Sequence, residues 1–268
     1  MRALIRRGVT AVVAGTATRL AARQIEPNRE WRRENYRNRE VDLRGGLAVL
    51  TGLLAAVGRT QVPGAALAVG AAGAAGLVDD LAGDASARGL KGHWDQLTQG
   101  RITTGMAKLG VISLGALWYA WSNSRSSQPG LRRWWQIGVD SVLVAGGANL
   151  VNLLDLRPGR ALKAAAAPAL VLAAGGAPGA ELAAGVAAVC AADAPDDLGE
   201  RTMLGDAGAN ALGAAVAVAA TRSLSPGGRV LAAVGVTSLI LTSEKVSFSR
   251  VIASHPVLRW LDQAGRVE

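Results

Sequence analysis

One cysteine, 4% aromatic residues and 18% charged residues are the shortages of this 268-residue chain, and each excludes something. With Cys190 alone in an apolar run there is no disulfide framework and no thiolate metal site, and the thiol reads as a small buried hydrophobe. Charge is missing from most of the apolar runs, which excludes the charged face that every helix of a soluble, alanine-rich repeat would carry. What is present is alanine and glycine, with half of all residues hydrophobic, a mean hydropathy of +0.25, and charges gathered in blocks between the runs. That pattern is a polytopic membrane protein. The net charge of +9 does not point to nucleic acid. Its arginines concentrate in the segment 23–44 (Arg23, Arg29, Arg32, Arg33, Arg37, Arg39 and Arg44), as in a cytoplasmic loop under the positive-inside rule. An acidic lipid surface is the simplest partner for that segment, and a nucleotide pyrophosphate is another.

Apolar runs near 5–22, 45–58, 62–78, 104–121, 134–154, 162–175, 178–193, 207–222 and 227–242 predict an all-α bundle of about nine transmembrane helices. The first is read as a retained span because it leads straight into the arginine-rich loop. The stretch 162–193 also permits one helix and a re-entrant piece. Residues 1–243 form the membrane domain on this reading, and 244–268 a cytoplasmic tail of polar turns with a short amphipathic piece on the membrane face. With the loop 23–44 cytoplasmic, parity brings Asp79 and Asp80, then Asp155, then Asp206 out on that same side. Arg88, Lys91, Arg101, Arg157, Arg160, Lys163, Lys245 and Arg250 share it, whereas Arg2, Arg6, Arg7, Arg132 and Arg133 lie opposite. Trp118, Trp121, Trp134 and Trp135 bracket the opposite loop as an interfacial aromatic belt would.

Each acidic cluster stands where an apolar run ends or begins, and carboxylates are costly inside hydrocarbon, so these are either flanks or a site. On one membrane face they suit a divalent cation and a phosphate substrate. Asp79 and Asp80 are adjacent, so each raises the other's pKa and a cation relieves the repulsion; a hydrophilic helix end explains them equally well. Asn149, Asn152 and Asp155 recur at a spacing of three, a polar stripe that needs partners, either helix–helix hydrogen bonds or a ligand. Asp206, in Gly205-Asp206-Ala-Gly208, is a helix cap, a cation ligand beside a bound phosphate, or both. Arg157 and Arg160, directly after Asp155, grip phosphate or anchor the loop. Asp140 and Glu181 fall inside expected spans, as polar helix contacts or outer-interface groups.

In this order and topology the motifs resemble the polyprenyl-phosphate N-acetylhexosamine-1-phosphate transferase superfamily, which includes the phospho-N-acetylmuramoyl-pentapeptide transferases. Gly76-Leu-Val-Asp79-Asp80 resembles its aspartate pair, Asn149-Leu-Val-Asn152-Leu-Leu-Asp155 its Asn-x-x-Asn-Leu-x-Asp segment, and Gly205-Asp206-Ala-Gly208 its Gly-Asp-x-Gly motif. Arg44-Gly45-Gly46 resembles its first cytoplasmic glycine pair. The resemblance covers roughly residues 35–215. It implies a multi-pass protein of a prokaryotic plasma membrane, with cytoplasmic catalytic loops, in which polyprenyl phosphate attacks the β-phosphate of a UDP-N-acetyl sugar and UMP leaves. It further implies Mg²⁺ as cofactor, with Asp206 the leading ligand and Asp79 beside it. Asp79 and Asp80 would orient or deprotonate the lipid phosphate, and Asp155 would complete the nucleotide site. Asn152, Asn149, Lys91 and Arg157 would contact substrate, and a homodimer is permitted. Two departures point to a non-catalytic relative, a scaffold or regulator of envelope assembly. Leu156-Arg157-Pro158-Gly159 replaces the family's Gly-x-Asp-Gly, and only His93 and His255 are present where the family carries a His-rich loop. An ion-coupled transporter using Asp140 and Glu181 is the third reading.

Overall fold

Among the described residues, nine long helices coincide with the nine apolar runs. The structure, a computed structural model, describes residues 1–82, 96, 98, 103–124 and 130–267. The long helices are α1 (Arg2–Gln24), α2 (Arg44–Thr60), α3 (Ala65–Ala82), α4 (Thr104–Asn123), α5 (Gly130–Leu154), α6 (Arg160–Ala174), α7 (Ala180–Leu198), α8 (Gly205–Ser223) and α9 (Pro226–Ser243). Short helices α10 (Phe248–Ser254) and α11 (Pro256–Gln263) follow. The stretch 162–193 is therefore two helices, broken at the Gly-Gly-Ala-Pro-Gly of 175–179. Local chemistry sets several starts: Thr103 accepts from the Met106 amide at α4, and Ser225 from Gly228 at α9, with Pro226 in the first turn, where its missing N–H costs nothing. The arginine-rich segment is not wholly irregular. After a 3₁₀ turn at Arg29–Trp31 it forms an antiparallel hairpin of β1 (Arg32–Glu34) and β2 (Glu40–Asp42).

Helix α8 is the axis of the bundle, packed by α2, α3, α5, α6 and α7. Its alanines and glycines are buried almost throughout, so backbones approach each other closely where bulky side chains would hold them apart. Two approaches seat its N-terminus. A Cβ on Gly76 of α3 would lie 2.2 Å from the Asp206 carbonyl oxygen, and one on Gly46 of α2 would lie 2.0 Å from the Leu204 carbonyl oxygen. Only glycine fits at either point, and each brings one of the sequence motifs against α8.

Helices α3, α5 and α9 are long and apolar enough to cross a membrane. Helix α9 buries only Ala233 and leaves Leu231, Val234, Leu239 and Leu241 exposed. At one end of the bundle Trp118, Trp121, Trp134 and Trp135 are all about half exposed or more. The same end holds the pairs Arg229–Asp140 (3.0 Å) and Arg6–Glu181 (2.9 Å), so both of those acids have cationic partners. The hairpin and the tail sit at the other end. The tail is clasped there: Asp262 bonds Arg160 (2.7 Å) and Arg266 (2.6 Å), and the Lys163 ammonium donates to the carbonyls of Leu261, Asp262 and Ala264 that end α11.

Candidate functional site

The acids meet because the last turn of α3 faces the first turn of α8. Asp80 lies beyond the N-terminus of α8, and its two carboxylate oxygens accept from the backbone amides of Asp206 and Ala207, each at 2.9 Å. These amides lack intrahelical acceptors, so Asp80 caps a helix other than its own and places negative charge at the positive end of the dipole. Gly205 begins the turn with φ +58°, a backbone that disfavours a side chain, and the space a Cβ would need there is taken by the Asp80 carboxylate. Arg33 of β1 donates to the Asp80 carbonyl at 2.5 Å, which ties the hairpin over the site. Met203 donates to the Asp42 carbonyl, and the Asp42 side chain accepts from the Arg44 amide, fixing the entries to α8 and α2 together.

Asp79 points the other way from Asp80. Its Oδ2 lies 2.5 Å from the Lys108 ammonium of α4, and the same ammonium bonds Oδ2 of Asp206. Two carboxylates from two helices thus converge on one cationic centre, with Lys108 only 12% exposed. Asn210, one turn along α8 and buried, donates to the Asp206 carbonyl at 2.7 Å.

Asp155 lies just past the end of α5, beside a cavity of about 270 Å³ that Tyr36, Arg157, Asp197 and Thr202 also line. Burial, then the charges of Asp197, Asp206, Asp80 and Asp193, push its carboxyl well above the usual range. Arg157 stacks its guanidinium on the Tyr36 ring at 3.8 Å, so the loop after α5 and the hairpin close on each other around this cavity. Asn149 and Asn152 are half-buried, and neither side chain has a hydrogen-bond partner among the described residues. Of the two alternatives for that polar stripe, helix–helix hydrogen bonds from Asn149 and Asn152 are not formed among the described residues.

The structure brings Asp79, Asp80 and Asp206 into one cluster, sets Asp155 within Coulombic reach of Asp80 and Asp206, and gives Arg157 to the adjoining cavity. Lys91, His93, Arg88 and Arg101 lie outside the described residues. Three participants were not named from sequence, Lys108, Tyr36 and Asp197, whose Oδ2 accepts from the Gly159 amide at 2.5 Å, and Arg33 was read only as one of the basic residues of segment 23–44. A lone lysine in the first turns of an apolar helix was the available signal for Lys108.

Among the described residues no set of three or more His, Cys, Asp or Glu side chains forms a metal cage. The pair Asp79–Asp206 nevertheless suits Mg²⁺, which is usually held by one or two carboxylates together with water and substrate phosphates. Lys108 already balances charge at the point where the two carboxylates converge. The sequence matches no protein-family model and no curated protein.

Proposed function

We propose that this chain is a Mg²⁺-dependent transferase that moves a sugar-1-phosphate from a UDP-N-acetyl amino sugar to polyprenyl phosphate and releases UMP. The observation that carries the reading is the convergence of motifs far apart in sequence. Gly46, Asp79-Asp80 and Gly205-Asp206 meet at the N-terminus of α8, with Asp155 close by. The finer membrane reading belongs to the same proposal: all nine long helices cross, the cluster end is cytoplasmic, and the tryptophan end faces out. The arginine-rich hairpin at one end and the exposed tryptophans at the other support it.

In the proposed reaction an oxygen of the lipid phosphate attacks the β-phosphorus of the donor. The bond from that phosphorus to the oxygen bridging the two phosphates breaks, and UMP leaves with the bridging oxygen. Asp79 orients the lipid phosphate and accepts its remaining proton. Asp80, with both oxygens committed to backbone amides, positions the first turn of α8 instead of reacting. Asp206 and Asp79 would hold Mg²⁺, which supplies neutralisation of the charge developing on the leaving phosphate. Lys108 shares that work as a fixed cation. The cavity at Asp155 takes the nucleoside, with Asn35, Thr202 and the stacked Arg157 on its wall. Calorimetry of UDP-N-acetylglucosamine binding in detergent tests this reading. Binding that requires Mg²⁺ and is lost in Asp206→Ala supports it, and metal-independent binding or none contradicts it.

Two observations favour the non-catalytic relative: Lys108 already bridges Asp79 and Asp206, and no second acid follows Asp155 in Leu156-Arg157-Pro158-Gly159. Nucleotide binding without turnover is the outcome that reading expects. Asp140 and Glu181, on which the transporter reading rests, pair with Arg229 and Arg6 and lie away from the acid cluster.

A further inference from the structure

The end of α1, the start of α2 and the end of α7 enclose a second cavity, of about 290 Å³, on the far side of Thr202 from the one at Asp155. Arg19 and Arg23 reach it from one face of α1, four residues apart, and Arg44 from the first turn of α2. None of these three guanidinium groups has a hydrogen-bond or ion-pair partner among the described residues, although the charge of Arg19 acts on Asp193 across the cavity. Like charges at that helical spacing repel, and an anion between them relieves the repulsion. The opposite wall carries carboxylates. Asp196 is neutralised by Arg201 at 2.6 Å, but Asp193, only 2% exposed, has no hydrogen-bond partner at Oδ2. Thr202, 6% exposed, likewise has none at Oγ1. Buried polar atoms are nearly always partnered, so two such atoms on residues that line a cavity with these arginines point to a ligand's chemistry. The arginines call for a phosphate; the Asp193 oxygen calls for a donor, and Thr202 for either.

We propose that this cavity binds a glycerol-phosphate group, with the phosphate on Arg19, Arg23 and Arg44 and the glycerol hydroxyls on Asp193 and Thr202. Its volume corresponds to about ten waters, which suits that group and little more. Either a phospholipid headgroup or a free glycerol phosphate offers this chemistry. Leu20, beside Arg19, and Val12 and Val13 further along α1 are exposed and give acyl chains an apolar surface next to the cavity. The site is separate from the transferase reading and stands or falls without it, although Thr202 lines both cavities.

Native mass spectrometry of the full chain, released from bilayer discs, tests the proposal. The discs contain equal phosphatidylglycerol, phosphatidic acid and phosphatidylcholine. The wild type is expected to retain phosphatidylglycerol over both others. Arg19→Ala/Arg23→Ala should lower that retention about thirtyfold, from roughly one surface-charge contribution per arginine. Arg2→Ala/Arg132→Ala, an equal loss of charge at the other end of the bundle, should leave it unchanged. Phosphatidic acid has the phosphate but no headgroup hydroxyl, so its retention in the wild type at or above the phosphatidylglycerol level overturns the proposal without any variant. Undiminished retention in Arg19→Ala/Arg23→Ala overturns it too. Displacement of the lipid by millimolar sn-glycerol 3-phosphate assigns the site to the free compound, and resistance assigns it to the headgroup.

Discussion

Asp79 and Asp80 are neighbours in sequence with different work, and conservative substitution separates them. In Asp80→Asn the side chain keeps one acceptor oxygen and presents an NH₂ to the other backbone amide of the first turn of α8. One charge-assisted hydrogen bond is lost, a part-buried N–H is left unpaired, and the favourable charge at the helix terminus disappears. Charge-assisted bonds contribute about 1.5–3 kcal/mol and the terminus about 0.3–1 kcal/mol, so a loss of roughly 2–3 kcal/mol is expected. For a chain of this size that lowers Tm by roughly 4–12 °C. Asp79→Asn removes a partner from Lys108, which keeps Asp206, and Asp79 is partly exposed; its Tm should move by less than about 2 °C. Tryptophan fluorescence on heating in detergent reads both, since the chain has seven tryptophans. The reasoning fails if Asp79→Asn proves as destabilising as Asp80→Asn.

Other outcomes follow from the same contacts. Lys108→Met leaves the Asp79 and Asp206 carboxylates facing each other, which should cost roughly 3 kcal/mol in chelator; millimolar Mg²⁺ should restore part of it, and a Tm indifferent to Mg²⁺ would count against a cation site. Gly46→Val drives a side chain into the Leu204 carbonyl and should lower stability by about 3 kcal/mol, read by the same melt; wild-type stability would contradict the close packing. Burial works against ionisation of Asp262, but Arg160 and Arg266 outweigh it and hold its carboxyl below the usual range. Its contribution to tail docking is therefore complete above about pH 5 and lost as pH falls below about 4. Limited proteolysis with proteases that between them are active on both sides of pH 4 should release the tail only in acid, whereas Asp262→Asn should release it at any pH.

The nine long helices were legible because each apolar run is bounded by charges, prolines or glycines, a signal that does not depend on tertiary context. The meeting of Asp79, Asp80, Asp155 and Asp206 was legible through parity, since alternate helices return each motif to the same end of the bundle. What lay beyond the sequence is pairing between helices. Arg160 and Lys163 read as loop cations until the fold places Asp262 and the last carbonyls of α11 against them. Asp140 lacks a local partner because Arg229 is on another helix. Arg33 and Tyr36 were hidden in a charged segment whose strands, three residues each, are too short for an alternating pattern. Asp80 and Asp79 could not be told apart, because which acid faces the α8 amides depends on how α3 is rotated about its axis.

UMP release by the purified protein, supplied with undecaprenyl phosphate, Mg²⁺ and a panel of UDP-N-acetyl sugars, tests the central claim most directly. The account predicts release that requires both lipid and Mg²⁺ and disappears in Asp206→Ala. A folded wild-type protein that binds these donors and releases no UMP from any of them would contradict it, and would leave the acid cluster as the binding site of a non-catalytic relative.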